Sequence, residues 1–180
     1  MKLEIDELRY GFHIWECKIL EAKSQPFVEM VSEEKPINLG VEFFKSLFHR
    51  SEFTWPALYN GAVDRTEKDK FYYECLEIYK ILKRKLEEVF SEDAILLMPT
   101  HPEPPPHYLM TIPKYPNIAY TCIFNVLGYP SSQIPTGLSG GLPIGIQAVS
   151  SLYQDNLTIA AAIELDKVFN GWICPCPINV

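Results

Sequence analysis

The sequence has no long apolar run and little positive charge, and these two absences exclude several classes of protein. No segment reaches the ~20 apolar residues that a membrane-spanning helix requires. The N-terminal twenty residues alternate charged and apolar groups, unlike a signal peptide. Lysine and arginine number 16 against 23 aspartate and glutamate residues, a formal net charge of −7. Nucleic acids are bound by clustered Lys and Arg, so we expect no nucleic-acid partner, and the lack of a long apolar run predicts no transmembrane segment in these residues.

The cysteines do not have the spacing of a metal or redox site. Five of them, an odd number, are scattered at 17, 75, 122, 174 and 176. Cys174 and Cys176 are separated by one residue instead of the two found in zinc or redox pairs. We therefore expect reduced thiols in an intracellular protein, no metal and no cofactor.

The common nucleophile and phosphate motifs are also missing. Ser131-Ser132 stands between Pro130 and Gln133 without the G-x-S-x-G pattern of a nucleophile elbow, which favours a structural serine pair over a catalytic one. The glycines of 137–141 lack the Lys-Ser/Thr that completes a phosphate-binding loop.

A cysteine–histidine pair is a further possible source of chemistry. Cys122 lies in an apolar stretch, where buried thiols are usually inert. His101 and His107 lie in a proline-rich loop with no carboxylate cluster nearby, which favours surface histidines over a base or ligand pair.

The clearest helix is predicted over residues 66–90. Thr66 and Asp69 resemble a capping box at its start, with aspartate in place of the usual Glu or Gln. Apolar residues then recur at helical spacing: Tyr72, Cys75, Leu76, Tyr79, Leu82, Leu86 and Val89. The apolar run 94–98, stopped by Pro99, is typical of a strand buried on both faces. A helix followed by such a strand indicates an α/β protein with a mixed or parallel sheet.

Residues 39–60 are rich in aromatic side chains and are interrupted by Pro56. We expect two short helices hinged near Trp55-Pro56, because the residue before a proline avoids helical backbone angles. Two interpretations stay open. The stretch forms a hairpin buried in the core, or its aromatic side chains form a surface that faces lipid or membrane.

The C-terminal half mixes glycine and proline with short apolar segments. Seven prolines between Pro99 and Pro116 predict an extended surface loop. The predicted elements after it are a helix over 117–127 ended by Gly128, extended segments over 131–136 and 144–149 with a turn at 138–141, and a last helix from Asp155 or Asn156 to about Phe169. Leu157, Ala161, Leu165 and Val168 are expected to point inward from that helix.

Several stretches resemble the amidase signature family. Residues 94–100 (AILLMPT) are similar to the family's strand that ends in a Pro-Thr or Pro-Ser step, 121–128 to its T-x-x-F-N-x-x-G helix end, and 141–147 (GLPIGIQ) to its GLPIG-x-Q strand. Residues 155–158, 171–175 and 12–15 are similar to a narrower group, the fatty-acid amide hydrolases of the second type. The resemblance is strongest over 94–176.

This resemblance implies an α/β fold, the C-terminal part of the amidase signature fold, with a mixed sheet flanked by helices, and we expect that fold to be incomplete here. The 180 residues would form a single partial amidase domain, mostly helical over 1–93 and with a sheet and helix core over 94–180. Members of the family hydrolyse amides with a lysine and two serines, one of them the nucleophile, and the serines lie in a Gly/Ser-rich motif. This sequence has no GGSSGG-like segment, so no catalytic residue of the family is carried onto it. The implied protein is a fragment of a fatty-acid amide hydrolase-like enzyme that is inactive alone.

The resemblance also implies a substrate channel. In fatty-acid amide hydrolases the acyl chain runs through an apolar channel, and two helices at its mouth contact the membrane. Residues 39–60 fall where those helices would be. The candidate lining residues are Phe43, Phe44, Phe48, Phe53 and Trp55 at the mouth, and Thr121, Phe124 and Asn125 on a second wall. The expected partners are a fatty-acid amide or other lipid and a membrane surface.

Two alternatives remain. The chain is a non-catalytic remnant that binds a lipid or a protein, because part of a larger sheet leaves open strand edges and an exposed core face. Alternatively, it is an unrelated enzyme that uses Cys122 or the loop histidines.

Overall fold

The structure, a computed structural model, describes residues 2–22, 30, 32, 37–63, 66–107 and 110–172. The chain divides into two compact units. One comprises residues 13–77, and the other combines residues 1–12 with 78–180. Most of the predicted loop 24–38, as well as Cys174 and Cys176, lies outside the described residues.

The N-terminal half is helical, as the sequence predicts. A short 3₁₀ turn, Asp6–Tyr10, leads into α1 (Gly11–Glu21). Three helices follow: α2 (Leu39–Leu47), α3 (Trp55–Val63) and α4 (Lys70–Val89).

The aromatic-rich stretch forms the two predicted helices, α2 and α3. The Asn38 side chain caps α2 by accepting a hydrogen bond from the Val41 N–H at 3.2 Å. Pro56 lies in the first turn of α3, where a missing N–H costs no helical hydrogen bond. Leu39 and Leu58 are buried between the two helices, with Phe43 and Phe53 packed against them.

Helix α4 begins later than the predicted capping box. Asp69 is itself the cap, because its carboxylate accepts a hydrogen bond from the Tyr72 N–H at 2.9 Å. The Thr66 hydroxyl instead donates backwards to the Ala62 carbonyl. The predicted apolar stripe is confirmed: Tyr72, Cys75, Leu82 and Leu86 are all buried. The 3₁₀ turn Phe90–Glu92 and a left-handed Asp93 (φ 47°) end this region.

The unit that combines residues 1–12 with 78–180 contains a three-stranded antiparallel sheet. Its strands are β1 (Leu96–Pro99), β2 (Ser131–Ser139) and β3 (Leu142–Val149), in the order β1-β3-β2. Gly140 and Gly141 join β2 to β3 with φ of 58° and 82°. Two successive positive φ angles are those of a type I′ turn, which glycine adopts without strain.

The prediction that β1 is buried on both faces is wrong. Within the described residues β1 is an edge strand that pairs only with β3, and Leu97 remains 49% exposed. An apolar run signals burial, but it does not reveal how many strands flank it.

Two helices cover the sheet region. Helix α5 (Ala119–Leu127) is ended, as predicted, by a left-handed Gly128 (φ 76°). Helix α6 (Asp155–Phe169) packs mainly on β2. Its start has no side-chain cap, so the predicted capping by Asp155 or Asn156 is wrong. Val168, predicted to point inward, is 69% exposed, and Thr158 is the buried residue of this helix.

Candidate functional site

The end of β1 opens onto a groove of about 630 Å³. Pro99, Thr100 and the proline-rich loop after them form one side. Pro143–Ile146 of β3, with Gln133 and Pro135 of β2, lines the other. The Pro-Thr step and the GLPIG-x-Q strand, which are distant in sequence, therefore face the same space.

The polar groups in this groove are held close together. The Thr100 hydroxyl donates to the Gln133 side-chain oxygen, and the Gln133 amide nitrogen contacts the Ile134 carbonyl at 3.4 Å. A Cβ atom at Gly145 would overlap that amide nitrogen and lie 2.6 Å from the carbonyl oxygen. The close approach of β2 therefore requires glycine at position 145. The hydrogen-bonded side chains of Thr100 and Gln133 form a polar surface in the groove.

His101 is oriented by its own loop. Its Nδ1 lies 2.8 Å from the Glu103 carbonyl oxygen. The Glu103 carboxylate accepts hydrogen bonds from Lys114 Nζ at 2.5 Å and from Asn117 at 3.3 Å. The Lys114 ammonium lowers the pKa of Glu103 below its usual value. These contacts stabilise the loop and place no nucleophile at the imidazole, while His107 is exposed.

The serine pair is bound to neighbouring structure. The Ser131 hydroxyl donates to the Gln147 side-chain oxygen at 3.1 Å, and the Ser132 hydroxyl donates to the Thr158 hydroxyl at 3.1 Å. Thr158 in turn donates to the Asp155 carbonyl at 2.9 Å. Among the described residues neither hydroxyl contacts a base, so the arrangement there fits the structural role predicted for these serines better than that of an activated nucleophile.

Gln147 is a central polar residue that the sequence analysis did not single out. It is buried in β3, and its amide nitrogen donates to the Tyr120 carbonyl at 2.7 Å and the Pro99 carbonyl at 3.3 Å. One amide thus ties the end of β1 to the start of α5. The sequence signals for it are its place as the last residue of the GLPIGIQ segment and its polarity in an otherwise apolar strand.

The described cysteines, Cys17, Cys75 and Cys122, are buried and form no disulfide with one another. In the sheet-bearing unit the Cys122 sulfur lies 4.0 Å from the Gly11 carbonyl oxygen. In the helical unit Cys17 and Cys75 share one cluster with Tyr72. Burial raises the pKa of Cys17 to about 12, and it also raises the pKa of Cys75. Such thiols are protonated at neutral pH and are poor nucleophiles.

The predicted second channel wall lies on α5. Thr121 and Asn125 are exposed one turn apart on the same side of the helix. Phe124 is only 2% exposed and belongs to the core.

The predicted channel-mouth residues lie on α2, on α3 and in the turn between the two helices. Phe44 and Phe48 are exposed by 63% and 61%, and their rings meet edge to face with centroids 5.3 Å apart. Val41 and Leu47 are exposed as well. Phe43 and Phe53 pack inward, and Trp55 stacks on Tyr59 with ring centroids 5.4 Å apart. The α2–α3 hairpin therefore has a buried side and an exposed apolar side. The buried side agrees with the core-hairpin interpretation, and the other side has the exposed aromatic residues that the lipid-facing interpretation requires.

The described part of the chain contains neither a cluster of metal-binding side chains nor a helix that could cross a membrane. No three His, Cys, Asp or Glu side chains there are grouped so that they could hold a metal ion. None of the helices described combines the length and apolar character needed to cross a membrane.

Most of this chain is similar in sequence to known proteins. A model of the family described as Amidase matches residues 28–159. Fatty-acid amide hydrolase 2-B of Danio rerio is 34% identical over 182 residues, covering 97% of this chain and 34% of the relative. Fatty-acid amide hydrolase 2 of Homo sapiens is 31% identical over 185 residues, covering 96% and 34%. The chain therefore spans about a third of the length of these relatives.

Solved structures agree on the fold. One subunit of the glutamyl-tRNA(Gln) amidotransferase from Thermotoga maritima superposes with a TM-score of 0.55 and 21% identity, covering 92% of this chain and 34% of that one. A crystal structure of an amidase gives a TM-score of 0.55 and 16% identity, covering 91% and 42%. The described elements thus form part of a larger α/β fold, which confirms the predicted fold class.

Proposed function

The chain belongs to the amidase family, and on that premise we propose that it is the scaffold and channel-forming part of a fatty-acid amide hydrolase-like enzyme. The reaction of the complete enzyme is hydrolysis of a fatty-acid amide to a fatty acid and an amine. The observation that carries the proposal is the similarity to fatty-acid amide hydrolases of the second type, which extends over nearly the whole chain.

In this proposal the reacting groups come from outside these 180 residues. Two observations support this: the sequence has no GGSSGG-like segment of the kind that carries the family's serines, and the described serine pair forms hydrogen bonds with Gln147 and Thr158. A hydroxyl without an adjacent base remains a weak nucleophile. The chain alone therefore hydrolyses no amide.

Two surfaces, one on each unit, are the proposed contacts for lipid. Thr121 and Asn125 present polar groups from α5, and Phe124 anchors that helix in the core. On the other surface, the exposed Phe44 and Phe48 of α2 and the turn that follows it offer apolar area to an acyl chain or a membrane. Burying a single such side chain is worth about 1.5–3 kcal/mol, enough for several of them to give measurable binding.

An assay of the purified chain tests the catalytic part of the proposal. We expect no turnover of a fluorogenic fatty-acid amide and no labelling by a serine-directed fluorophosphonate probe. The human relative, run in parallel, verifies the assay. Turnover that the probe abolishes would show that the chain carries its own nucleophile.

A liposome flotation assay tests the lipid-facing surface. The double variant Phe44→Ser/Phe48→Ser is expected to reduce binding of the chain to vesicles at least tenfold. Ile163→Ser on α6 is the matched control, since it removes an apolar side chain of similar exposure from another surface. Equal binding by wild type and the double variant would eliminate the membrane role. A third outcome would favour a non-catalytic remnant that binds lipid. In that case the wild-type chain binds vesicles and the double variant does not, but the chain stays inactive even when the rest of an amidase is supplied.

The proposed location is a reducing, intracellular compartment. It is supported by the described cysteines, Cys17, Cys75 and Cys122, which are buried and form no disulfide with one another.

A further inference from the structure

Two cysteines of the helical unit, residues 13–77, have their thiols in contact. Cys17 lies on α1 and Cys75 on α4, and both belong to one buried cluster with Tyr72. The Cys17 S–H donates a hydrogen bond to the Cys75 sulfur, which brings the two sulfur atoms side by side. The proposed amide hydrolysis uses neither thiol, so this contact has no role in the function described above.

The surroundings of the pair disfavour a thiolate. Cys75 is fully buried and Cys17 is 6% exposed. Burial raises the pKa of both thiols, and the carboxylates of Glu16 and Asp69 raise it further. Attack by these thiols on an oxidant is therefore slow in the native chain.

The same surroundings favour the oxidised pair at equilibrium. A disulfide carries no charge, so neither burial nor the nearby carboxylates penalise it. Redox sites that stabilise a thiolate have strongly oxidising disulfides, because their reduced form is favoured. The pair in this chain has the opposite environment, since its thiolates are disfavoured. Its disulfide should therefore form slowly and resist reduction.

We propose that Cys17 and Cys75 are a redox switch, which closes to a disulfide between α1 and α4 when oxidised glutathione or a similar small disulfide accumulates. One thiol loses its proton, and the thiolate attacks a sulfur of oxidised glutathione. This step forms a mixed disulfide and releases one glutathione thiolate. The partner thiolate then attacks the protein sulfur of the mixed disulfide and releases the second glutathione. Two electrons pass from the cysteine pair to glutathione, and the two thiol protons end on the released glutathione molecules.

The position of the pair determines what the switch does. The bond joins α1 to α4 and closes a loop that contains α2 and α3. A cross-link that closes a long loop restricts the unfolded chain and so stabilises the folded one. The two sulfur atoms already touch in the reduced chain, so the second attack is intramolecular and the mixed disulfide is short-lived. Oxidation is therefore expected to stabilise the helical unit against unfolding.

Equilibration with glutathione tests the proposal. The full chain carries Cys174→Ser and Cys176→Ser, which removes the two cysteines outside the described residues. It is incubated in mixtures of reduced and oxidised glutathione, quenched with acid, unfolded and alkylated. Equilibrium is approached from the reduced and from the oxidised chain, because exchange at buried thiols is slow. A parallel series in urea gives the reference for the unfolded chain.

Peptide mapping identifies the bond. Trypsin places Cys17 in peptide 10–18 and Cys75 in peptide 71–80, so mass spectrometry detects their cross-link directly. We expect the equilibrium constant for this cross-link to be at least about tenfold larger in the native chain than in urea, because folding holds the sulfur atoms together.

Urea unfolding of the reduced and the oxidised chain provides a second test. The oxidised chain should have the higher midpoint. Cys17→Ala and Cys75→Ala should each remove that difference, while Cys122→Ala, which removes a buried thiol from the other unit, should keep it. In Cys75→Ala the mixed disulfide of Cys17 with glutathione should accumulate, since no partner thiol resolves it. The comparison of the two wild-type forms remains decisive even if an alanine variant does not fold.

Any of four results would overturn the inference. The cross-link between peptides 10–18 and 71–80 fails to form, or its equilibrium constant is no larger in the native chain than in urea. The oxidised chain unfolds at the same or a lower urea concentration than the reduced chain. Alternatively, disulfides to Cys122 form in comparable yield, which would indicate unspecific oxidation.

Discussion

Replacing Tyr129 by phenylalanine is expected to stabilise the protein. Tyr129 is 6% exposed, and its hydroxyl has no hydrogen-bond partner among the described residues. Burial raises the pKa of this phenol to about 12, consistent with a group removed from water. The ring packs edge to face on Phe90, with centroids 5.2 Å apart and an interplanar angle of 77°. Phenylalanine preserves that contact and removes only the unpaired hydroxyl.

The magnitude follows from the cost of an unsatisfied buried polar group, which is about 1–3 kcal/mol. Part of that gain is offset by the small void that the missing oxygen leaves, so we expect a net increase of about 1 kcal/mol in the free energy of unfolding. For a chain of this length that corresponds to a rise in Tm of about 2–4 °C.

Urea denaturation at pH 7, followed by tryptophan fluorescence, measures the difference. Tyr153→Phe is the matched control. Tyr153 is 94% exposed, so its hydroxyl is solvated and the change should stay within about 0.5 kcal/mol. Tyr129→Leu, which loses the aromatic contact, should cost at least about 1 kcal/mol. A loss of stability in Tyr129→Phe comparable to that in Tyr129→Leu would show that the hydroxyl is paired and would refute the reasoning.

Two further predictions concern titration. Lys85 holds the pKa of Glu7 below its usual value through a hydrogen bond. A depressed carboxylate pKa stabilises the fold above the unfolded value of about 4.3, and the contribution is lost as pH falls through the folded pKa. Lys85→Met should therefore flatten the acid limb of a stability–pH curve below about pH 5, and an acid limb identical to wild type would exclude the pair as its source. Because burial raises the pKa of Cys17 and shields its thiol from solvent, its alkylation by iodoacetamide at pH 8 should be at least about tenfold slower in the native chain than in urea. Peptide mapping of the labelled cysteines would reveal fast native labelling if this is wrong.

The parts of the fold that could be predicted are those where local pattern and backbone chemistry agree. Helix α4 has a continuous apolar stripe, and its burial matches that stripe. The β2–β3 hairpin has two glycines where a type I′ turn needs two positive φ angles. Gly128 ends α5 for the same conformational reason. In each case, the decisive information lies within a few residues.

The features that were missed depend on distant parts of the chain. The apolar run of β1 does not reveal that its second edge is open, because strand neighbours are set by tertiary structure. The inward prediction for Val168 failed at the last turn of α6, where this side chain is exposed. The polar surface of the groove depends on a hydrogen bond between Thr100 and Gln133, which come from two separate segments. The candidate channel residues remain a prediction from resemblance.

The buried Gln147 amide also selects one strand register. The Gly140-Gly141 turn fixes the register of β2 against β3. Strand β1 comes from a distant part of the sequence, and its apolar side chains alone would tolerate a shifted pairing with β3. A shift by one residue would turn the amide to the other face and leave the Tyr120 and Pro99 carbonyls without their donor. It would also bring a side chain to the place where Gly145 now lies against β2. The Gln147 amide and Gly145 thus exclude misaligned pairings that hydrophobic burial alone would accept.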